Sequence, residues 1–184
     1  MDGKYAKDFS EILSVLSENE ELKSEVVELI KTKSIHGKAT EEPQRKAIFR
    51  EVLIDVVNGK LSTLESAYRA TEERLSIIDS IYGWDRKVFA SGWAERHVRT
   101  QLSRFYNQAV MERLIQDGKQ ECFIHHSSLE DSSTQCSIIL AGKKHLVKEL
   151  YERLIKNYEN GNWDKEVKIP DHPHCTHVVS LHIN

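Results

Sequence analysis

The chain has 184 residues, of which 39% are apolar and 30% are charged, a composition typical of one soluble, helix-rich domain. Its formal net charge of -3 excludes a global basic field that would attract nucleic acid or acidic lipid, and no apolar run approaches the roughly 20 residues that span a bilayer. Three cysteines, an odd number in a chain too long to depend on disulfides, favour a reducing compartment. We therefore expect a cytoplasmic protein with no membrane partner.

Apolar residues at helical spacing predict four helices in the first part of the chain. Two of them begin at capping-box patterns, the first with Ser17 as the N-cap and the second within residues 62–65. The third begins at Thr40 or Pro43, and the fourth ends near Gly83. The predicted helices cover approximately residues 9–16, 17–31, 43–58 and 64–82.

The second part of the chain mixes helical and strand patterns. The longest helical pattern covers residues 93–117, and a final helix is predicted from about Lys143 to Asn160. Short strands are predicted near residues 122–124 and 177–181, which would pair with each other. The glycines that follow predicted helices, where a left-handed cap needs glycine, are Gly37, Gly59, Gly83, Gly118 and Gly161.

These patterns predict a mainly α protein of the α+β class. A helical N-terminal region, residues 1–83, would precede an α+β module, residues 84–184. The module would contain the long helix, a small two- or three-stranded antiparallel sheet and the C-terminal helix.

Residues 169–179, with the sequence IPDHPHCTHVV, contain the densest group of metal-binding side chains in the chain. Tetrahedral zinc takes four Cys or His ligands, commonly from two separate segments. Cys136 from the middle of the chain, with His172, Cys175 and His177, would supply such a set. The sequence therefore predicts a candidate structural zinc site.

A second interpretation of the same residues needs no metal. Cys122 and Cys136 would be small buried apolar residues, and His172 would form hydrogen bonds that fix the proline-rich turn. The sequence leaves both interpretations open. Further side chains that could replace a ligand are Cys122, His125, His126 and His174.

Three segments, in order, resemble the phage head morphogenesis family, the Mu F-like minor head proteins, over approximately residues 93–182. They are Arg99-Thr100-Gln101 with Asn107 and the stop at Gly118, the run from Asp131 through Cys136 to Gly142, and the sequence PDHPHCTH at residues 170–177. The chain departs from the family pattern because Gln101 replaces an acid, Cys136 stands where the family often has two cysteines, and His177 replaces the last cysteine.

The resemblance implies a minor capsid component near the portal, made during head assembly, present in the virion and sometimes associated with packaged DNA. We expect a non-enzymatic assembly protein that acts through contacts with a portal or other capsid component. Arg99 and Asn107 would orient the long helix against the C-terminal residues, while Gly142 and Pro173 would have structural roles.

Nucleic-acid binding and catalysis are the alternatives. Arg96, Arg99 and Arg104 make a basic stripe on the long helix that could contact DNA phosphates, although a solvated helix face explains the same pattern. Motifs of zinc proteases, zinc deaminases, serine hydrolases and phosphate-binding loops are absent from the sequence, so no catalytic residue is assigned. The alternative function is a metal-dependent nucleic-acid-processing enzyme that uses the C-terminal His and Cys residues.

Overall fold

The computed structural model describes residues 5–181, so the outer ends of the two predicted regions, residues 1–4 and 182–184, lie outside the described residues. The described chain is mainly helical with one small antiparallel sheet, which confirms the predicted fold class. The helices are α1 (Ile12–Glu18), α2 (Glu20–Thr32), α3 (Pro43–Val57), α4 (Leu64–Ser76), α5 (Trp93–Gln116), α6 (Gln135–Leu140) and α7 (Val147–Leu154). The strands are β1 (Glu121–Ile124), β2 (Lys143–Leu146) and β3 (Val179–Ser180). Two 3-10 turns cover Phe9–Glu11 and Lys38–Thr40, and a π-helical turn, Ile155–Glu159, directly follows α7.

Helix α5 is the central element of the fold. It packs against α2, α4, α7 and β3, and its residues from Gln101 to Met111 are buried without interruption. A helix that is covered on all sides belongs to the interior. The helix ends at Gln116, and Gly118 follows with a positive φ of 70°, as the stop signal in the sequence predicts.

The sheet has the strand order β2-β1-β3, and both pairings are antiparallel. Ile124 lies opposite Val179, which confirms the predicted pairing between the two parts of the second half. The prediction of helix from Lys143 is wrong for β2. Gly142, with a φ of 68°, turns the chain and donates its N–H to the Ile124 carbonyl at 2.8 Å, so the residues that follow pair with β1 before α7 begins.

Three helix boundaries also differ from the predictions. Asn19, not Ser17, caps α2, because the Asn19 side chain accepts the Leu22 N–H while the Ser17 hydroxyl donates to the Ser14 carbonyl. The second capping box lies one residue later than predicted, with Thr63 as the N-cap of α4. Helix α4 ends at Ser76 rather than near Gly83.

The buried Arg45 side chain explains the early end of α4. Its guanidinium donates to the carbonyls of Leu75, at 2.7 Å, and Ile78. The last carbonyls of a helix have no intrahelical donor, and a cation that binds them supplies the missing hydrogen bonds, so the helix can end there.

One connected apolar cluster contains buried residues from Ala6 to Val179 and so includes both predicted regions. The division at residue 83 stays a prediction. The beginning of the described chain also contacts its end, since the Phe9 N–H donates to the Thr176 carbonyl at 2.8 Å. Among the described helices, none is both long and apolar enough to cross a bilayer.

Candidate metal centre

Two local structures place the candidate ligands. Thr134 caps α6 by accepting the Ser137 N–H, which puts Cys136 in the first turn of that short helix with its side chain buried. In the C-terminal segment, the Cys175 N–H donates to the His172 carbonyl at 2.9 Å and closes a turn. The two segments therefore bring their side chains together although 36 residues separate Cys136 from His172.

Three of the four side chains predicted as ligands, Cys136, Cys175 and His177, meet at one place, and the half-buried His172 lies beside Cys136. We call these four residues the Cys–His cluster. Candidate ligand atoms of Cys136, Cys175 and His177 all lie within 4.8 Å of one another, and all three residues are buried. The Cys136 Sγ lies 3.3 Å from His172 Nε2, and the Cys175 Sγ lies 3.6 Å from His177 Nδ1. This buried group could bind a metal ion.

Glu130 fixes the orientation of the His177 ring. Its Oε2 lies 2.7 Å from His177 Nε2, and a charged carboxylate can only accept, so Nε2 donates, while the other ring nitrogen, Nδ1, faces the Cys175 Sγ. The other carboxylate oxygen lies 2.6 Å from His126 Nδ1. Nothing in the sequence singles out Glu130, because it lies in a loop rich in Ser and acids, and only the folded chain shows its partner.

The cluster stabilises a thiolate on Cys136. Hydrogen bonds from Cys175, and then from His172 and His177, hold the pKa of the Cys136 thiol far below its ordinary value. The pKa of Cys175 is raised because it donates to Cys136 and because it is buried. The bond to Cys136 also raises the pKa of His172. A deprotonated thiol is the form that binds metals, so the surroundings favour the ligand state of Cys136, whereas the raised pKa values of Cys175 and His172 favour their protonated forms when no metal is bound.

At His177 and Glu130, burial and hydrogen bonding shift the pKa in opposite directions. Burial lowers the pKa of His177, but its bonds to Cys136 and Glu130 outweigh this effect and raise the pKa. Burial raises the pKa of Glu130, but bonds from His126 and His177 outweigh it and lower the pKa. The carboxylate therefore stays charged beside the histidine.

The other side chains considered as ligands lie outside the cluster. Cys122 is buried in β1 beside the His145 carbonyl, and burial raises its pKa to about 12, so it behaves as an inert core residue. His125 contacts the Phe123 ring, with the centroids 4.7 Å apart, and His174 is exposed. All three cysteines of the chain are free thiols.

The residues assigned structural roles surround the cluster. Asn107 Oδ1 accepts the Val179 N–H at 2.7 Å, and Arg99 Nε donates to the Pro173 carbonyl at 3.3 Å, so both join α5 to the C-terminal segment. At Gly142, a Cβ atom would lie only 2.4 Å from His126 Nε2. A glycine is therefore needed where the loop approaches the ring that holds Glu130.

The three arginines of the predicted basic stripe do not share an open surface. Arg104 is fully buried, donates to the Ser34 carbonyl at 3.0 Å and stacks on Phe105. Arg99 is half-buried and lies over the Phe9 ring, 4.3 Å from its centroid. Arg96 is the member that lines an open cleft. Because α5 is an interior helix, the three arginines do not form one exposed basic surface. DNA binding stays a prediction.

Comparisons with protein-family models, with curated proteins and with solved structures gave no match to this chain.

Proposed function

We propose that this protein is a non-enzymatic structural or assembly protein whose C-terminal half is held together by a zinc ion in the Cys–His cluster. The observation that carries the proposal is the meeting of Cys136, Cys175 and His177, with His172 next to Cys136, in a buried place. Two thiolates and two imidazoles are a common ligand set of structural zinc sites.

Two S···N distances within the cluster fit tetrahedral zinc, while His172 lies outside the group of three whose ligand atoms all approach within 4.8 Å of one another. Zinc bonds of about 2.3 Å to sulfur and about 2.0–2.1 Å to nitrogen, at a tetrahedral angle, separate an S and an N ligand by about 3.6 Å. The two S···N distances in the cluster are 3.3 and 3.6 Å. Glu130 supplies the carboxylate that commonly binds the second nitrogen of a zinc-bound histidine.

Burial favours a structural zinc over a catalytic one. Cys136, Cys175 and His177 expose 1%, 2% and 1% of their surfaces, and the fourth proposed ligand, His172, is half-buried. A catalytic zinc has three protein ligands and keeps a position open to water or substrate, whereas a structural site is closed by four. These features support the non-enzymatic reading over a metal-dependent nucleic-acid enzyme.

The assembly role rests on the resemblance to phage minor head proteins. Its support is that the three sequence segments carrying the resemblance converge in space. Arg99 of the first segment donates to the Pro173 carbonyl of the third, and Cys136 of the second segment joins the cluster with residues 172–177. The proposal places the protein in the cytoplasm during head assembly and in the virion afterwards, in contact with a portal or another capsid component.

Zinc content is the first measurement. We expect one zinc per chain, retained on dialysis, in protein purified without a metal-affinity tag. Cys175→Ala should lose the metal and lower the free energy of unfolding by at least about 3 kcal/mol, because a structural zinc contributes its binding energy to folding. Elemental analysis and chemical denaturation give the two numbers.

Cys122→Ala is the matched control, since it removes a buried thiol outside the cluster. It should destabilise the protein through lost packing and leave the zinc content unchanged. Wild-type protein without zinc, or a Cys175→Ala loss below about 1 kcal/mol, would remove the zinc centre and leave a packed turn.

The assembly role needs a separate test, since a zinc centre alone does not establish it. We expect stable association with a portal-like ring on co-expression, measured by co-sedimentation, without cleavage of added DNA. Divalent-metal-dependent DNA cleavage that Cys175→Ala abolishes would instead support the enzyme.

A further inference from the structure

A second candidate site lies in a cleft that Pro173 helps to line. It is an open cleft of about 310 Å³ between the 3-10 turn Lys38–Thr40, the first turns of α5 and the exposed Trp163. Its volume is at the lower end of the range of about 300–1,000 Å³ that is typical of small-molecule sites. The cleft is therefore large enough for one small ligand.

The cleft is basic in a chain whose net charge is negative. Lys38, Lys87 and Arg96 line it, and no acidic residue of the described chain is among its lining residues. Lys38 and Lys87 are exposed, so their ammonium groups can move to meet a ligand. His97 adds a neutral ring, because burial lowers its pKa to about 4. The permanent charges favour an anion such as a phosphate.

Aromatic rings flank the charged groups. Trp163 exposes 55% of its surface at the edge of the cleft, and its ring is fixed by an edge contact with Tyr158, with the centroids 4.9 Å apart. Trp93 contributes a mostly buried ring to the same wall. An exposed tryptophan held in place beside cationic side chains suits a flat base that is joined to phosphate.

Gln101 gives an independent indication of a ligand. Its side chain lines the cleft and the residue is only 4% exposed, yet its Oε1 atom is buried without a hydrogen-bond partner in the described chain. A buried acceptor without a partner is costly and needs an explanation. An N–H group of a bound base would satisfy it after a rotation that turns the Gln101 amide oxygen toward the cleft.

We propose that this cleft binds a nucleotide, with the phosphate at Lys38, Lys87 and Arg96, the base against Trp163, and a base N–H donated to Gln101. The nucleotide can be free or can be one unit of a single strand, since both present the same chemistry. The cleft includes Pro173 from the turn that carries the cluster ligands, but the proposed contacts use no residue of the Cys–His cluster and require no zinc.

Calorimetric titration tests the site with four probes at low salt: adenosine monophosphate, adenosine, inorganic phosphate and a short single-stranded DNA. We expect adenosine monophosphate to bind at least about tenfold more tightly than adenosine or phosphate, because only the nucleotide uses both parts of the cleft. Tighter binding of the strand, with a steeper salt dependence, would identify nucleic acid as the source.

Three variants separate the contributions. Lys87→Glu should weaken binding of the nucleotide by at least about tenfold, whereas Lys148→Glu, an exposed change outside the cleft, is the matched control. Trp163→Ala should remove the advantage of the nucleotide over phosphate. Gln101→Met should weaken binding without lowering the free energy of unfolding, because it replaces an unpaired buried amide by an apolar side chain of similar size.

Two results would overturn the proposal. One is the absence of saturable binding for adenosine monophosphate, phosphate and the strand alike. The other is binding that Lys87→Glu and Lys148→Glu reduce by the same factor, which would indicate a diffuse charge effect. The zinc content of the wild-type protein is unaffected by either result, so the two proposals fail separately.

Discussion

Gly142 shows how one residue connects the sheet to the Cys–His cluster. Its positive φ turns the chain into β2, and its missing side chain leaves room for the His126 ring. That ring binds Glu130, and Glu130 in turn binds His177. A side chain at position 142 would therefore disturb a ligand through two intermediate residues.

Gly142→Ala should lower the free energy of unfolding by about 2–3 kcal/mol. The left-handed backbone accounts for about 1–2 kcal/mol of this loss, and the displaced His126 ring for the remainder. Denaturant titration measures the loss, and zinc content reports whether the ligand geometry is also disturbed.

Gly118→Ala is the control for backbone strain alone, because Gly118 has a φ of 70° but a Cβ there would meet nothing within 4 Å. Equal losses in the two variants would show that the approach of His126 to Gly142 has no energetic weight.

At the scale of elements, the sequence was informative where a signal is local. Helix α5 and its stop at Gly118 follow from apolar spacing and one glycine. Strand β2 was missed because its residues are mostly exposed and carry no apolar alternation, so only the pairing with β1 defines it. Helix α6, with six residues, is too short to show helical periodicity.

The two candidate sites also differ in how far local sequence patterns indicate them. Three ligands of the Cys–His cluster are neighbours in the chain, so their density is visible in the sequence, and Cys136 from a separate segment completes the four ligands that tetrahedral zinc takes. The cleft combines side chains from separated segments, among them Lys38, Lys87 and Trp163. Their proximity results from the packing of several elements around α5, which no local pattern encodes.

Asn107 is the main polar link between α5 and β3, and its removal should be costly. Asn107→Leu should lower the free energy of unfolding by about 2–3 kcal/mol, because the buried Val179 N–H loses its acceptor. Hydrogen exchange at the Val179 amide should accelerate in the variant, and denaturant titration gives the energy.

The comparison for Asn107 is Asn162→Leu, which removes an exposed amide and should change stability by less than about 0.5 kcal/mol. A loss for Asn107→Leu no larger than that of the control would mean that β3 is held by its other contacts.

At the scale of the whole molecule, the beginning and the end of the described chain lie together on α5. The Ala6 N–H donates to the Tyr106 hydroxyl at 2.7 Å, the Phe9 N–H donates to the Thr176 carbonyl, and the Phe9 ring contacts the Arg99 guanidinium. The apolar cluster is continuous from Ala6 to Val179. Contacts of this kind couple the stability of the helical region to that of the α+β module.

We therefore expect one cooperative unfolding transition. Circular dichroism reports on the helices of both predicted regions. The fluorescence of Trp163, measured in a variant with Trp84 and Trp93 replaced by Phe, reports on the C-terminal region alone. The two signals should give the same midpoint in denaturant. Two separated transitions would show that residues 1–83 and 84–184 unfold as independent units.

The π-helical turn Ile155–Glu159 has a consequence for how the chain can vary in length. Its extra residue directs the Tyr158 hydroxyl to the Pro170 carbonyl and the Glu159 carbonyl to His36. Deleting one residue here would restore regular α-helix and rotate every later side chain by about 100° around the axis. This turn, in which Asn157 and Tyr158 are buried, should therefore keep its length even where its composition drifts.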